Sequence, residues 1–171
     1  MLNEIIRNII RFILLVGVQV LIINNIELGR FINPFIYVLF IIILPFETPK
    51  WAVLFSSLLI GITMDMFSDT GGMHAAACVF MGYLRPGILK LFSPREGYEF
   101  GIQPTVQYLG VPWFLSYAGI LVFAHHLVLF YIEIFRFSEF FSTFFRVIVS
   151  SIFTLFLIIV TQYLFYRKKQ D

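Results

Sequence analysis

The fold class is decided by the stretch Phe141–Tyr166, which reads FSTFFRVIVSSIFTLFLIIVTQYLFY. A helix needs about 20 mostly apolar residues to cross the hydrocarbon of a bilayer, and this stretch exceeds that length. Its one charged residue is Arg146, and the basic run Arg167-Lys168-Lys169 follows it directly. The stretch therefore predicts a transmembrane helix that ends at a cytoplasmic interface.

The rest of the chain shares this apolar character. Of its 171 residues, 60% are hydrophobic and only 13% are charged, whereas a soluble domain is nearer half apolar and a quarter charged. A formal net charge of +2 provides no basic field for nucleic acid. Cys78 is the one cysteine, which excludes an intrachain disulfide or a CxxC motif. The composition predicts a single all-α integral membrane domain.

Six stretches are candidates for membrane-spanning helices in a bundle. The second is short and is framed by Asn33-Pro34 and Pro45, so we expect a thin, tilted or partly inserted helix with Asn33 as its cap and Pro34 at its first position. The first follows Arg7 and Arg11 but has no cleavage site of small residues, so we expect it to be retained rather than removed as a signal peptide. The expected limits are Ile5–Asn24, Phe31–Leu44, Trp51–Phe67, Met73–Phe92, Trp113–Phe135 and Phe141–Tyr166.

The basic residues give the bundle an orientation. With the N-terminus inside, nine of the twelve Lys and Arg residues fall on the cytoplasmic side. The positive-inside rule therefore predicts a multi-pass protein with both termini in the cytoplasm. The nine are Arg7, Arg11, Lys50, Arg85, Lys90, Arg95, Arg167, Lys168 and Lys169, and the three outside are Arg30, Arg136 and Arg146.

Polar and small residues at membrane depth mark the candidate sites, since polar groups are costly there. In the third helix Ser57, Gly61 and Asp65 share one face, which suits close helix contact. Asp65 is predicted to cap the next helix or reach interfacial water, or else to contact a ligand, ion or partner. His74 is either hydrogen-bonded within the bundle or a ligand contact. The candidates for partner or ligand contact are Ser57, Gly61, Asp65, Gly71, Gly72, His74, Gly82 and His126.

The fifth and sixth helices supply one candidate ion pair. Glu133 precedes their connecting turn by about as far as Arg146 follows it, so an antiparallel hairpin sets them at similar depth. We expect a structural Glu133–Arg146 pair, with Arg136 competing for the carboxylate. His125 points about 100° away from His126, so this pair cannot chelate one metal from a straight helix. No metal site is expected.

Catalytic patterns are weak. The sequence contains no GxSxG, no P-loop and no GxGxxG after a strand. His74 and Cys78 are neighbours at i, i+4 and could be imagined as base and nucleophile, but no third member or oxyanion donor is evident. The sequence therefore predicts a protein that is not an enzyme and needs no cofactor.

The third and fourth helices carry a resemblance. The chain reads Gly61-Ile-Thr-Met-Asp65, then a turn with Gly71-Gly72, then a slim helix that includes Gly82-Tyr83. This pattern resembles the rod shape-determining protein MreD family, and the likeness extends over nearly the whole chain in length and hydropathy profile. Gly61, Asp65 and Gly72 are the residues that match the family by position.

The resemblance implies a non-enzymatic scaffold of the bacterial cell-wall elongation complex, in the inner (cytoplasmic) membrane, that contributes to cell shape and peptidoglycan synthesis. It implies contact with MreC and, through it, with MreB, RodA and a penicillin-binding protein. His74, His125, His126 and Glu133 have no counterpart in the family pattern, so the resemblance assigns them no role.

An alternative belongs to another class. Small six-helix substrate-binding subunits of energy-coupling-factor vitamin transporters are similar in length, and the MreD family is thought to resemble them in fold. Under that interpretation Asp65, His74, His126 and Glu133 converge on a ligand pocket near the outer face. A third interpretation, a small membrane hydrolase, requires activity that depends on His74 and Cys78.

Overall fold

The computed structural model describes residues 2–26, 29, 31–135 and 139–165, and every regular element among them is a helix. Four stretches are long and apolar enough to cross a membrane: Ile5–Asn25, Lys50–Ser68, Val106–Ile134 and Phe140–Leu164. The helices are α1 (Leu2–Leu21), α2 (Leu39–Ile42), α3 (Lys50–Ser68), α4 (Met73–Leu91), α5 (Val106–Ile134) and α6 (Phe140–Phe165), with 3-10 turns at Ile23–Asn25 and Ile36–Val38.

The helix expected over Phe31–Leu44 is much shorter in the structure. Residues 32–35 are not helical, and the 3-10 turn leads into α2, which is four residues long. Asn33 does not cap a helix, because the helical backbone begins only after Phe35. Pro34 accounts for part of this difference, since a residue that precedes proline is biased towards extended backbone.

This central segment, residues 31–45, crosses the middle of the bundle. The nine consecutive side chains from Ile36 to Leu44 are each at most 6% exposed. Apolar side chains gain little by leaving lipid, but N–H and C=O groups without helical partners must be kept away from it. The irregular backbone therefore explains why this segment is surrounded by protein.

The contacts of the central segment show its direction. Tyr37 contacts His74 at the start of α4, and the carbonyl of Leu44 contacts Arg85, eleven residues and about 16 Å further along that helix. The segment runs from the end where α3 meets α4, here called the turn side, to the end with the 92–105 loop, here called the loop side. Within the described residues the chain passes between the two sides six times, five times as a long helix.

The loop side is held together by aromatic side chains. The ring of Tyr98 stacks on Phe46 at a centroid distance of 4.0 Å, and its hydroxyl donates to the Leu89 carbonyl at 2.8 Å. The N–H of Gly101 donates to Glu47 at 2.8 Å. α5 begins at Val106, before the expected limit, and is interrupted at Gly110 by a positive φ of 78°. The long loop is therefore attached to the bundle.

Candidate functional site

The small residues of α3 and α4 are used where these two helices touch. A Cβ added to Gly61 would collide with the backbone of Ala75 and would lie 2.8 Å from the His74 carbonyl. A Cβ added to Gly82 would collide with the Ser57 side chain. Ser57, Gly61 and Gly82 were candidates for close helix packing and for contact with a partner or ligand; the structure places Gly61 and Gly82 in close contact with neighbours in the same chain.

Asp65 caps the start of α4. Its Oδ1 accepts from the His74 N–H at 2.9 Å and the Thr70 hydroxyl at 2.6 Å, and its Oδ2 accepts from the Ala75 N–H at 2.9 Å. These N–H groups have no partner within the helix, so the carboxylate satisfies them and meets the positive end of the helix dipole. Gly71 and Gly72 make the turn possible, with φ of 54° and 100°. The arrangement corresponds to the capping alternative.

The turn-side end of the central segment is hydrogen-bonded by side chains from α1 and α6. Gln19, Ser150 and Thr154 are all 0% exposed. They replace the helical hydrogen bonds that this stretch of backbone lacks. The bonds are Asn33 N to Ser150 Oγ at 3.0 Å, Ser150 Oγ to Phe31 O at 3.0 Å, Gln19 Nε2 to Pro34 O at 3.1 Å, Phe35 N to Thr154 Oγ1 at 3.0 Å, and Ile36 N to Gln19 Oε1 at 2.7 Å.

The loop-side end is held by Arg85 and Tyr117. The guanidinium of Arg85 donates to the carbonyls of Leu44 and Pro45, and to the Tyr117 hydroxyl at 3.0 Å. That hydroxyl donates in turn to the Ile42 carbonyl at 3.0 Å. Arg85 is 1% exposed, so its side chain is directed into the bundle and does not extend to the loop-side interface. The carbonyls at the end of α2 attract the cation more strongly than that interface does.

A cluster of rings lies between these two ends. The Tyr37 hydroxyl is 2.7 Å from His74 Nδ1 and 2.9 Å from His125 Nε2, so it donates to one imidazole and accepts from the other. His126 Nδ1 donates to the Val122 carbonyl at 2.8 Å, which leaves its Nε2, 3.1 Å from Thr154, as the acceptor in the neutral ring. His125 and His126 are both buried, because α4, α6 and the central segment surround this part of α5.

Arg146 and Glu133 form the ion pair that the hairpin geometry predicts. Arg146 Nη1 lies 3.1 Å from both carboxylate oxygens. With its amide oxygen facing Arg146, Asn33 accepts from Nε and Nη2 at 3.1 and 3.2 Å, and the guanidinium lies 4.1 Å from the centroid of Phe130. Arg146 therefore joins α5, α6 and the central segment. Arg136, the expected competitor, lies outside the described residues.

A cavity of about 260 Å³ opens beside this ion pair on the turn side. The structure brings His74 and Glu133 together in its lining, which does not include Asp65 or His126. Its polar lining consists of Asn24, Asn33, Ser68, Thr70, His74, Glu133 and Arg146. A larger cleft of about 520 Å³ lies under the 92–105 loop, where the charged residues Arg95, Glu96 and Glu99 are all exposed. The smaller cavity is the better candidate site because its charges are partly enclosed.

The described residues offer no three His, Cys, Asp or Glu side chains that could hold one metal ion. Cys78 is fully buried, and His74 directs its Nδ1 to Tyr37. The structure thus places His74 in a hydrogen-bonded network within the bundle.

Several residues of this network were not identifiable from the sequence. Gln19 and Tyr37 lie in apolar stretches where periodicity gives no reason to select them. In the sequence, Tyr117 cannot be distinguished from an aromatic residue that faces lipid or packs in the core. One signal was available: a short apolar stretch with two framing prolines requires hydrogen-bond partners from elsewhere in the chain.

Comparison of this chain with protein-family models, curated proteins and solved structures found no match. The fold and the site define the class: an all-helical membrane protein whose buried polar side chains hold an irregular segment in the centre of the bundle.

Proposed function

We propose that this chain is a non-enzymatic scaffold subunit of the bacterial cell-wall elongation complex, as its resemblance to the MreD family implies. One observation carries the proposal. The residues that match the family pattern all act in a single helical hairpin: Gly61 allows the contact of α3 with α4, Asp65 caps α4, and Gly72 forms the turn. The resemblance therefore rests on a feature with a physical role.

We propose six membrane crossings, with the central segment as the second and with both termini in the cytoplasm of a bacterium. The six passes of the chain support this count. The basic residues Lys50, Lys90 and Arg95 all belong to the loop side, and Arg146 belongs to the turn side. The positive-inside rule then places the loop side in the cytoplasm.

The mechanism we propose is passive. The polar groups at depth hold the chain's own helices together, so contact with the membrane helix of MreC falls on outward apolar faces. Of the four apolar helices, α1 is the least buried, and Ile13 on it is 62% exposed. Among these four helices, α1 is therefore the best candidate to contact a partner helix.

Co-purification with the MreC encoded in the same genome tests this function. The wild-type chain should retain MreC in mild detergent, Ile13→Trp should lower the yield several-fold, and Ile152→Trp should not. Ile152 is a matched control because it lies on α6 and is 60% exposed. Failure of the wild-type chain to retain MreC under any mild detergent would contradict the scaffold proposal.

A second function is favoured by the cavity that His74 and Glu133 share. A substrate-binding subunit of a vitamin transporter would use this cavity for its ligand. Purified protein should then carry a vitamin or show a thermal shift when one is added, whether or not MreC is present.

A further inference from the structure

We infer that the turn-side cavity binds the headgroup of a zwitterionic phospholipid, with a phosphate and an ammonium group on one short chain. This binding goes beyond the scaffold function and does not depend on it. The argument rests on the charges of the cavity, its size and its depth in the membrane.

The cavity presents one charge of each sign. Arg146 and Glu133 are in contact at 3.1 Å, and their side chains are 19% and 39% exposed, so both remain accessible from the cavity. A simple anion attracted to the guanidinium would be repelled by the neighbouring carboxylate. A simple cation attracted to the carboxylate would be repelled by the neighbouring guanidinium. A zwitterion can place its phosphate on Arg146 and its ammonium on Glu133.

The start of α4 does not turn the cavity into an anion site. Helix N-termini bind phosphates through free N–H groups. Here Asp65 already accepts from the N–H groups of His74 and Ala75. A ligand phosphate must therefore rely on Arg146 and on neutral donors such as the Ser68 hydroxyl and the Asn24 amide.

The volume favours a small group. At about 260 Å³, the cavity lies below the roughly 300–1,000 Å³ typical of sites for drug-sized ligands. A phosphoethanolamine headgroup is small enough for such a space. The apolar part of the lining, which includes Ile23, Ile26 and Met73, suits the upper part of the acyl chains.

The depth also fits a headgroup. α6 contains 26 residues and is about 39 Å long, whereas the hydrocarbon of a bilayer is about 30 Å thick. The excess length brings the ends of α6 into the headgroup layers. Arg146 lies six residues from the turn-side end, or about 9 Å, so its long side chain reaches the boundary between headgroups and hydrocarbon.

Native mass spectrometry of the purified full chain tests the inference. After delipidation, phosphatidylethanolamine and phosphatidylglycerol are added in equal amounts. We expect at least fivefold preference for phosphatidylethanolamine. Ser68→Phe should remove this preference by filling the cavity, whereas Ser116→Phe, at an exposed position on α5, should keep it.

Two further measurements test whether the headgroup alone is recognised and whether Glu133 determines the choice of lipid. Free phosphoethanolamine should raise the thermal midpoint of wild-type protein but not of Ser68→Phe, which assigns recognition to the headgroup. Glu133→Gln leaves Arg146 as the sole charge, so the preference should change towards phosphatidylglycerol. Equal retention of both lipids by wild type, an unaltered preference in Ser68→Phe, or a vitamin bound in their place would overturn the inference.

Discussion

At the scale of single residues, the buried charges act as caps. Asp65 satisfies the first N–H groups of α4, and Arg85 satisfies the last carbonyls of the central segment. Each charge meets the end of a helix where the exposed backbone groups have the opposite partial charge. The charge that makes these side chains costly in lipid is also what makes them effective at a helix end.

Removal of the Asp65 cap should destabilise the bundle. Asp65→Ala loses three hydrogen bonds and should cost about 2 kcal/mol, or roughly 4–8 °C in the thermal midpoint for a chain of this size. Asp65→Asn keeps one acceptor oxygen and should lie between Ala and wild type. Asp69→Asn is the control, since Asp69 is exposed. Equal midpoints for wild type and Asp65→Ala would exclude the capping role.

Removal of Arg85 should have a similar effect at the opposite end. Arg85→Met leaves the buried carbonyl of Leu44 and the partly buried carbonyl of Pro45 without this donor, at a cost of about 1–3 kcal/mol for the buried group. Lys90→Met, at an exposed position in the last turn of α4, should change stability by less than about 0.5 kcal/mol. The comparison is made from thermal midpoints in one detergent, and a smaller loss for Arg85→Met than for Lys90→Met would contradict this role.

At the scale of elements, two devices bring the helices together. α3 and α4 approach closely because Gly61 and Gly82 have no side chains at the contact. α5 and α6 are joined by the Glu133–Arg146 pair and by Thr154 with His126. Hydrophobic burial provides little drive between helices in lipid, so close backbone contact and hydrogen bonds determine this packing.

Two glycines of these helices should respond in opposite ways to alanine. Gly61→Ala forces the α3–α4 contact apart and should destabilise by about 1–3 kcal/mol. Gly87→Ala, on α4 with nothing within 4 Å of the added Cβ, should stabilise by up to about 1 kcal/mol through helix propensity. Thermal unfolding in detergent measures both changes. A stabilised Gly61→Ala variant would show that the contact is looser than the structure indicates.

At the scale of the whole molecule, the central segment organises the bundle. It contacts side chains of α1, α4, α5 and α6. Much of its backbone is not helical, so its N–H and C=O groups cannot be exposed to lipid. The surrounding helices therefore shield it, while their outward faces remain apolar. With the central segment as one pass, the described part of the chain passes six times between the loop side and the turn side.

Cysteine labelling tests the resulting topology. In a Cys78→Ala background, Asp69→Cys on the turn side should react with a membrane-impermeant maleimide in intact cells. Glu99→Cys, in the loop on the other side, should react only after the membrane is permeabilised. The reverse pattern would invert the proposed orientation, and labelling of both in intact cells would contradict the six crossings.

The class of the protein and most of its helices can be predicted from the apolar stretches of the chain. Long apolar stretches must become helices in a bilayer, since backbone groups there have no other partners, and five of the six expected stretches correspond to long helices. The Glu133–Arg146 pair could also be predicted, because the two residues lie at similar distances from one turn. Such features depend on local composition and on spacing along one hairpin.

The conformation of residues 31–45, and the partners of the polar groups around them, depend on contacts between distant parts of the chain. Whether this short stretch is helical depends on Gln19, Arg85, Tyr117 and Thr154, which lie far from it in the chain and replace its missing helical bonds. The same contacts turn Arg85 inward and bury His125. Apolar periodicity carries no information about such pairings, because a hydrogen bond between distant residues is fixed only when the helices have packed.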